Sequence, residues 1–203
     1  MKPNPFERLP TSITVGGQTV EVNSDFRVGI SIEMECSQPE PDIAGLLMLF
    51  YRGNIPSPVE EAGEKMIEFF ANTGNDSGNQ GGPEKGKRVY DFEQDADALS
   101  ASFLGAYGLD LSTASIHWWE FRRLLCNLPP ETPFMRRMYY RTADLKKLSK
   151  SERKHVEKMR RLYALKQPSV TSGKTAAEME TEFKEKMLKR YEEAQNLISQ
   201  KSR

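Results

Sequence analysis

A mainly α-helical protein, with a small N-terminal β-hairpin, a helical bundle-like domain and a C-terminal amphipathic helix, is the fold class this sequence predicts. Three features predict it. Alternating apolar residues flank a Gly-Gly pair at 16 and 17, apolar stripes at i, i+3/i+4 spacing recur from residue 41 onward, and Ser, Thr or Asp caps with Gly or Pro stops punctuate those stripes.

TSITVGGQTVEV sets Ile13, Val15, Val20 and Val22 at alternate positions around Gly16-Gly17, a pair that tolerates the positive φ of a two-residue turn. The next stretch reads two ways. Phe26, Val28, Ile30, Ile32, Met34 and Cys36 keep period two, as a strand does, whereas Ser24 followed by Asp25 looks like a helix cap. DIAGLLMLFYRG predicts a mostly buried helix. Ser57-Pro58-Val59-Glu60 offers an N-cap, a first-turn proline and a capping-box glutamate for a helix running to about Ala71. Residues 72–87, rich in Gly, Asn and Ser, predict a flexible loop. The loop brushes a P-loop pattern at Gly81 and Gly86-Lys87, but Arg88 stands where Ser or Thr is required and Pro83 removes an amide donor.

Phe92, Ala96, Leu99, Phe103 and Tyr107 draw the stripe of the next helix, which Gly108 should stop. Its acids fail as an EF-hand loop from Asp91, because Ala96 replaces the glycine and Ser102 the final glutamate. They read instead as first-turn carboxylates favoured by the helix dipole. A helix from about Thr113 to Leu128 puts His117, Trp118, Phe121, Leu124, Leu125 and Leu128 on one apolar face, at about 100° per residue. Trp119 falls off that face beside Arg122 and Arg123, and so reads as a partly exposed anchor over which an arginine could stack. Residues 149–166 predict a basic helix. After a break at QPSVTSGK, Thr175 and Glu178 form a capping box for a last helix striped by Met179, Phe183, Met187, Tyr191, Ala194 and Ile198. The domain division expected is therefore a hairpin-plus-helical domain over 1–166 and a linker with helical extension over 167–203.

Across 203 residues, 37% hydrophobic and 29% charged, the composition is that of a soluble protein with a real core. The longest apolar run is too short to span a bilayer, so no membrane association is expected. MKPNPFERLP has neither a signal core nor a transit pattern, which points to the cytoplasm. Cys36 and Cys126 are too few for a disulfide framework and, in apolar surroundings, read as buried thiols. The net charge of zero conceals a polarity: residues 1–135 hold 10 Lys+Arg and 20 Asp+Glu, and 136–203 hold 19 and 9. A chain with unlike ends should self-associate, and a final helix that buries little by itself wants a partner groove.

Catalysis would need a nucleophile, a base and an orienting group that converge, and His117 and His155 come with no such signature. His117 reads as a core histidine and His155 as a solvated one. With no HExxH or CxxC spacing either, the expectation is no enzyme, no metal and no cofactor. Residues 136–166 carry 12 Lys+Arg against 3 Asp+Glu, with Tyr139, Tyr140 and Tyr163. That makes a nucleic-acid surface worth weighing, but no helix-turn-helix, zinc or RNA-binding signature accompanies the charge, and a solvated helix face is the preferred reading.

LPTSITVGGQTVEVNSDFRVGISIE, RVYDFEQDADALSASFLGAYGLDL and IHWWEFRRLLCNLPPETPFMRRMYYRTADL, with the basic stretch after it, resemble the bacteriophage gene-product-fifteen family of long-tailed phages. HWWEFRRLL…LP…T.F…M.YR is the most specific part. The resemblance covers most of residues 5–166 and implies a mostly helical protein, hence a helix in NSDFRVGISIEME. It also implies a non-catalytic tail assembly chaperone of a siphophage, in the host cell cytoplasm, which escorts the tape measure protein until tube subunits polymerise around it. A shorter upstream product can cooperate with such proteins. The residues expected to bind a partner are Trp119, Arg122, Arg123, Arg136, Arg137, Phe183, Met187 and Tyr191. A structural tail component and a nucleic-acid-binding regulator using 136–166 are the competing readings.

Overall fold

Seven α-helices and one antiparallel hairpin make up the regular structure of residues 6–38, 41–71 and 89–166, the part of the chain described by the computed structural model, together with one short 3-10 turn. The predicted loop 72–87, the linker from 167 and the last helix with Phe183, Met187 and Tyr191 lie outside the described residues. Those described fall into two units. One is drawn from residues up to 71 together with 116–121, the other from 89–115 together with 122–166.

In the first unit, β1 (Ser12–Val15) pairs with β2 (Gln18–Glu21), Val15 opposite Gln18. Gly16 and Gly17 turn between them at φ 55° and 75°, the left-handed pair a two-residue hairpin needs. Val15 and Val22 are buried, and the chain beyond β2 forms a bridge from Val22 to Tyr51.

Helix α1 (Phe26–Cys36) settles the ambiguous stretch. A strand buried on one side would hide every second residue through Cys36. Instead Phe26, Val28, Gly29 and Ile32 are buried, a helical face, and Cys36 is exposed. Asp25 rather than Ser24 is the cap, its Oδ1 accepting the Arg27 amide at 2.8 Å.

Helix α2 (Ile43–Phe50) buries Ile43, Leu46, Leu47 and Phe50 and leaves Met48 exposed. Asp42 caps it by accepting from the Gly45 amide at 3.1 Å. Helix α3 (Val59–Ala71) turns Ala62, Met66 and Phe69 inward. It starts two residues beyond Ser57, with the Pro58 carbonyl accepting the first bond, from the Ala62 amide. α2 packs on α1 and α3, and α3 on β1. Polar ties help hold α3 in place, among them the Tyr51 hydroxyl, which donates to the Ala62 carbonyl at 2.8 Å, and the Gly16 amide, which donates to Glu61 Oε2 at 3.1 Å.

The segment 116–121 completes this unit from a distance in sequence. The Phe26 amide donates to the Ile116 carbonyl at 3.0 Å and the Trp118 amide to the Ser24 carbonyl at 2.7 Å, a bridge centred on Asp25 and His117. The six-membered ring of Trp118 lies directly over Gly29, where a Cβ would overlap its ring atoms. That contact decides the sign of a substitution. Glycine inside a helix usually costs about 1 kcal/mol relative to alanine, so Gly29→Ala would stabilise an unobstructed helix. Here it should destabilise by roughly 1–3 kcal/mol through overpacking, read as a lower midpoint in urea with an unchanged slope.

In the second unit, α4 (Ala96–Tyr107) is closed by left-handed Gly108, whose amide donates to the Leu104 carbonyl at 2.9 Å. α5 (Trp118–Cys126) begins later than the Thr113 expected, because Asp110 holds 110–113 in a turn by accepting from the Ser112 amide and hydroxyl. The boundary between the units falls within α5, after Phe121. α6 (Pro133–Thr142) starts with proline and docks Phe134 beside Ser102, whose hydroxyl accepts the Phe134 amide at 3.0 Å. A 3-10 turn (Leu145–Lys147) leads to α7 (Lys150–Leu162), begun by a reciprocal capping box between Ser149 and Glu152. Val156 is the buried residue of α7, and Arg160 ties the helix to the Tyr140 and Ala143 carbonyls. Cys126, like Cys36, is exposed, so the buried thiols expected from the sequence are not found. Both sit at the last position of their helix, where the packed face has ended.

Candidate functional site

The densest group of chemically capable side chains in the first unit is His117, Trp118 and Trp119. His117 opens α5: its carbonyl accepts the Phe121 amide at 2.9 Å and its Nδ1 accepts the Trp119 amide at 3.0 Å. Since Nδ1 accepts, the proton sits on Nε2, which donates to the Pro10 carbonyl at 2.9 Å. Burial lowers the His117 pKa below its ordinary 6.5, opposed by the Pro10 hydrogen bond and the charge of Glu120. Both ring nitrogens are thus engaged by backbone, as expected of a core histidine.

Above about 6.5 the imidazole is neutral in the folded and unfolded chain alike; below it the unfolded chain binds the proton first. Stability contributed by neutral His117 is therefore complete above that pH and is lost as pH falls toward the depressed folded value, by at most about 1.4 kcal/mol per pH unit. Melting temperatures between roughly pH 7.5 and 5.5 should fall less steeply in His117→Gln than in the wild type. Equal slopes would remove His117 from the account.

Trp118 and Trp119 are both core. Trp118 is 2% exposed, stacked on Phe121 at 5.8 Å between centroids and edge-on to Phe70 at 5.7 Å. Trp119, expected to be a partly exposed anchor, is 5% exposed: its Nε1 donates to the Phe69 carbonyl at 2.8 Å and its ring lies 5.2 Å from that of Phe69. The expectation fails because the helical wheel allows a helix one packed side. The flank of α5 that carries Trp119 is covered by α3.

In the second unit the polar centre is an aspartate between two arginines. Arg137 and Arg141, one turn apart on α6, reach the start of α4. Arg141 donates to Asp95 Oδ2 at 2.6 Å and to Oδ1 at 2.9 Å, and also binds the Tyr163 and Val89 carbonyls. Arg137 donates to Asp95 Oδ1 at 3.2 Å and to both oxygens of Asp97 at 2.9 and 2.8 Å. The Asp95 side chain is 1% exposed, so beyond the first-turn carboxylate expected from the sequence it is a buried ion. Burial by itself would raise its pKa, but the hydrogen bonds and charge of Arg141, the Asp91 amide and Arg137 outweigh that and hold the carboxyl below its ordinary value.

Of the residues expected to bind a partner, Trp119 is buried, Arg122 donates to the Tyr90 hydroxyl at 2.7 Å and Arg137 belongs to the Asp95 cluster. Arg123 is half-buried and Arg136 is exposed. The surface that remains is one the sequence indicated only as a charge excess. Lys150, Lys154, Lys158 and Arg161 lie on the outer side of α7 opposite Val156, with Leu162 68% exposed beside them. A shallow groove runs along Lys154, Glu157, Lys158, Arg161 and Leu162. Among the described residues, no three His, Cys, Asp or Glu side chains converge as metal ligands would, and no helix is long and apolar enough to cross a membrane. The arrangement can bind an anionic or mixed surface by charge.

No curated protein and no solved structure matches the chain. A family match, in contrast, spans residues 6–165, both units and the segment IHWWEFRRLL included, and carries the description Bacteriophage Gp15 protein. A mostly helical protein, with a helix rather than a strand at 26–36, is what the resemblance implied of the fold, and the hairpin is what Gly16-Gly17 and the alternation around it predicted. On that match the chain belongs to the bacteriophage Gp15 protein family.

Proposed function

We propose that the chain is a tail assembly chaperone, a non-catalytic helper that binds the tape measure protein in the host cytoplasm and is released as tail tube subunits polymerise around it. The observation that carries this reading is the family match over residues 6–165. The geometry supports it in kind: the imidazole, the indoles and the buried aspartate that could have made a reaction centre hold the fold together. The exposed side of α7 offers charge with one apolar residue at its end, a surface suited to reversible binding of a long helical client.

Co-expression of the tagged chain with the tape measure protein tests it directly. Co-purification of the two, with the chain absent from finished particles, is the expected result. Retention in particles in fixed copy number would make it a structural tail component. Salt-sensitive binding of duplex DNA without capture of the tape measure protein would favour a nucleic-acid-binding regulator.

A further inference from the structure

Helices α3 and α7 each carry a ladder of one charge. On α3, Glu60, Glu64 and Glu68 are exposed at successive i, i+4 positions; on α7, Lys150, Lys154 and Lys158 are exposed at the same spacing. With a rise of about 1.5 Å per residue, both ladders are about 12 Å long with rungs about 6 Å apart. Like charges at i, i+4 repel along their own helix. Lys65 relieves one rung by pairing with Glu68 at 2.9 Å, and Glu61 at the rim is engaged by the Gly16 amide. Each ladder is offset most fully by an opposite ladder of matching pitch.

An exposed apolar residue flanks each ladder at its C-terminal end: Ile67, 38% exposed, beside Glu68, and Leu162, 68% exposed, one turn beyond Lys158. Leu162 continues the line of its own ladder as the next i, i+4 position, and Ile67 lies one residue before the last rung of the other. Rows of i, i+4 residues are inclined to the helix axis, so two such rows run together when the axes cross at about 50°. At that crossing, parallel alignment sets Glu60, Glu64 and Glu68 against Lys150, Lys154 and Lys158 and brings Ile67 and Leu162 to the same end of the contact. Antiparallel alignment separates them.

We infer that the α7 face binds the α3 face of a second copy of this chain, in parallel, as a head-to-tail contact. The occupant is a second copy because the chain itself presents both ladders, equal in length, equal in pitch and opposite in sign. Such a contact uses unlike surfaces and leaves one of each free on every pair, so it propagates into rings or open filaments. Exposed ion pairs are individually weak. The contact should therefore form at low ionic strength and dissolve as salt shortens the screening length from about 30 Å at 0.01 M toward about 3 Å at 1 M. The contact needs the two faces alone and does not depend on whether the client is a tape measure protein.

Sedimentation velocity and light scattering on the full chain test it, in low and high salt, with two charge-reversed variants. Glu60→Lys/Glu64→Lys/Glu68→Lys has two basic faces and Lys150→Glu/Lys154→Glu/Lys158→Glu has two acidic ones. Wild type should assemble at low salt and dissociate at high salt. Each variant alone should associate at least tenfold more weakly, and an equimolar mixture of the two should assemble again. Circular dichroism checks that each is folded, and the milder Glu→Gln and Lys→Gln triples, which should also weaken assembly, replace any that is not. A wild-type monomer at low salt, assembly that survives both reversals, or a mixture of folded variants that stays monomeric would each overturn the contact.

Discussion

Asp95→Asn should destabilise the protein by about 3–5 kcal/mol, the range for breaking a buried ion pair by removing one partner. The substitution is nearly isosteric, so little of that cost is packing. Arg141, with its side chain 7% exposed, would keep a full charge facing a neutral amide in a site closed to water. Arg137 is better placed, because Asp97 still neutralises it at the surface. For a chain of this size, about 2–4 °C per kcal/mol makes the drop in melting temperature roughly 6–20 °C. Adding Arg141→Met should recover part of it, since removing both charges also removes the cost of desolvating them. A loss under about 1 kcal/mol for Asp95→Asn, or no recovery in the double variant, would mean that water reaches the cluster in solution.

Trp118→Ala and Trp119→Ala should each cost about 3–5 kcal/mol, the range for emptying a buried tryptophan site. Paired melts distinguish this from a division of labour between the two rings. Trp119→Phe separates the terms further: it keeps most of the contact with Phe69 but deletes the indole donor that reaches the Phe69 carbonyl, and should cost about 1 kcal/mol for the hydrogen bond plus a smaller packing term. Were Trp119→Ala to leave the melt unchanged while weakening client binding, the exposed-anchor reading would return.

What could be read from the sequence is what neighbouring residues decide. Gly16-Gly17 fixes a hairpin because the φ requirement is met by two adjacent residues, and Gly108 ends α4 by the same local logic. Phe26 to Cys36 was ambiguous because period two and a cap competed over the same residues; the buried set, shaped by Trp118 some ninety residues later, was beyond local inspection. Trp119 shows the same limit, since its exposure depends on Phe69 of α3 and not on its position on α5. The Asp95 cluster was hidden for another reason. Its composition, an aspartate among other acids and arginines among other bases, matches that of any solvated helix pair, and only the third dimension brings one acid under two guanidinium groups. The α7 face was visible as a charge excess, but its ladder form needed the helix register and the burial of Val156.

The late contribution of residues 116–121 to the first unit has a consequence for synthesis. The hairpin and the first three helices emerge from the ribosome long before Trp118, Trp119 and Phe121, which fill the space against Gly29, Phe26 and Phe69. At roughly 5–20 residues per second the nascent N-terminal segment waits for seconds with Phe26, Phe69 and Phe70 uncovered. A chain arrested anywhere before residue 116 should therefore be open to proteolysis and to host chaperones, and one arrested far enough beyond 121 for that segment to clear the tunnel should be protected, so that protection of the N-terminal part arrives in one step with the tryptophan pair.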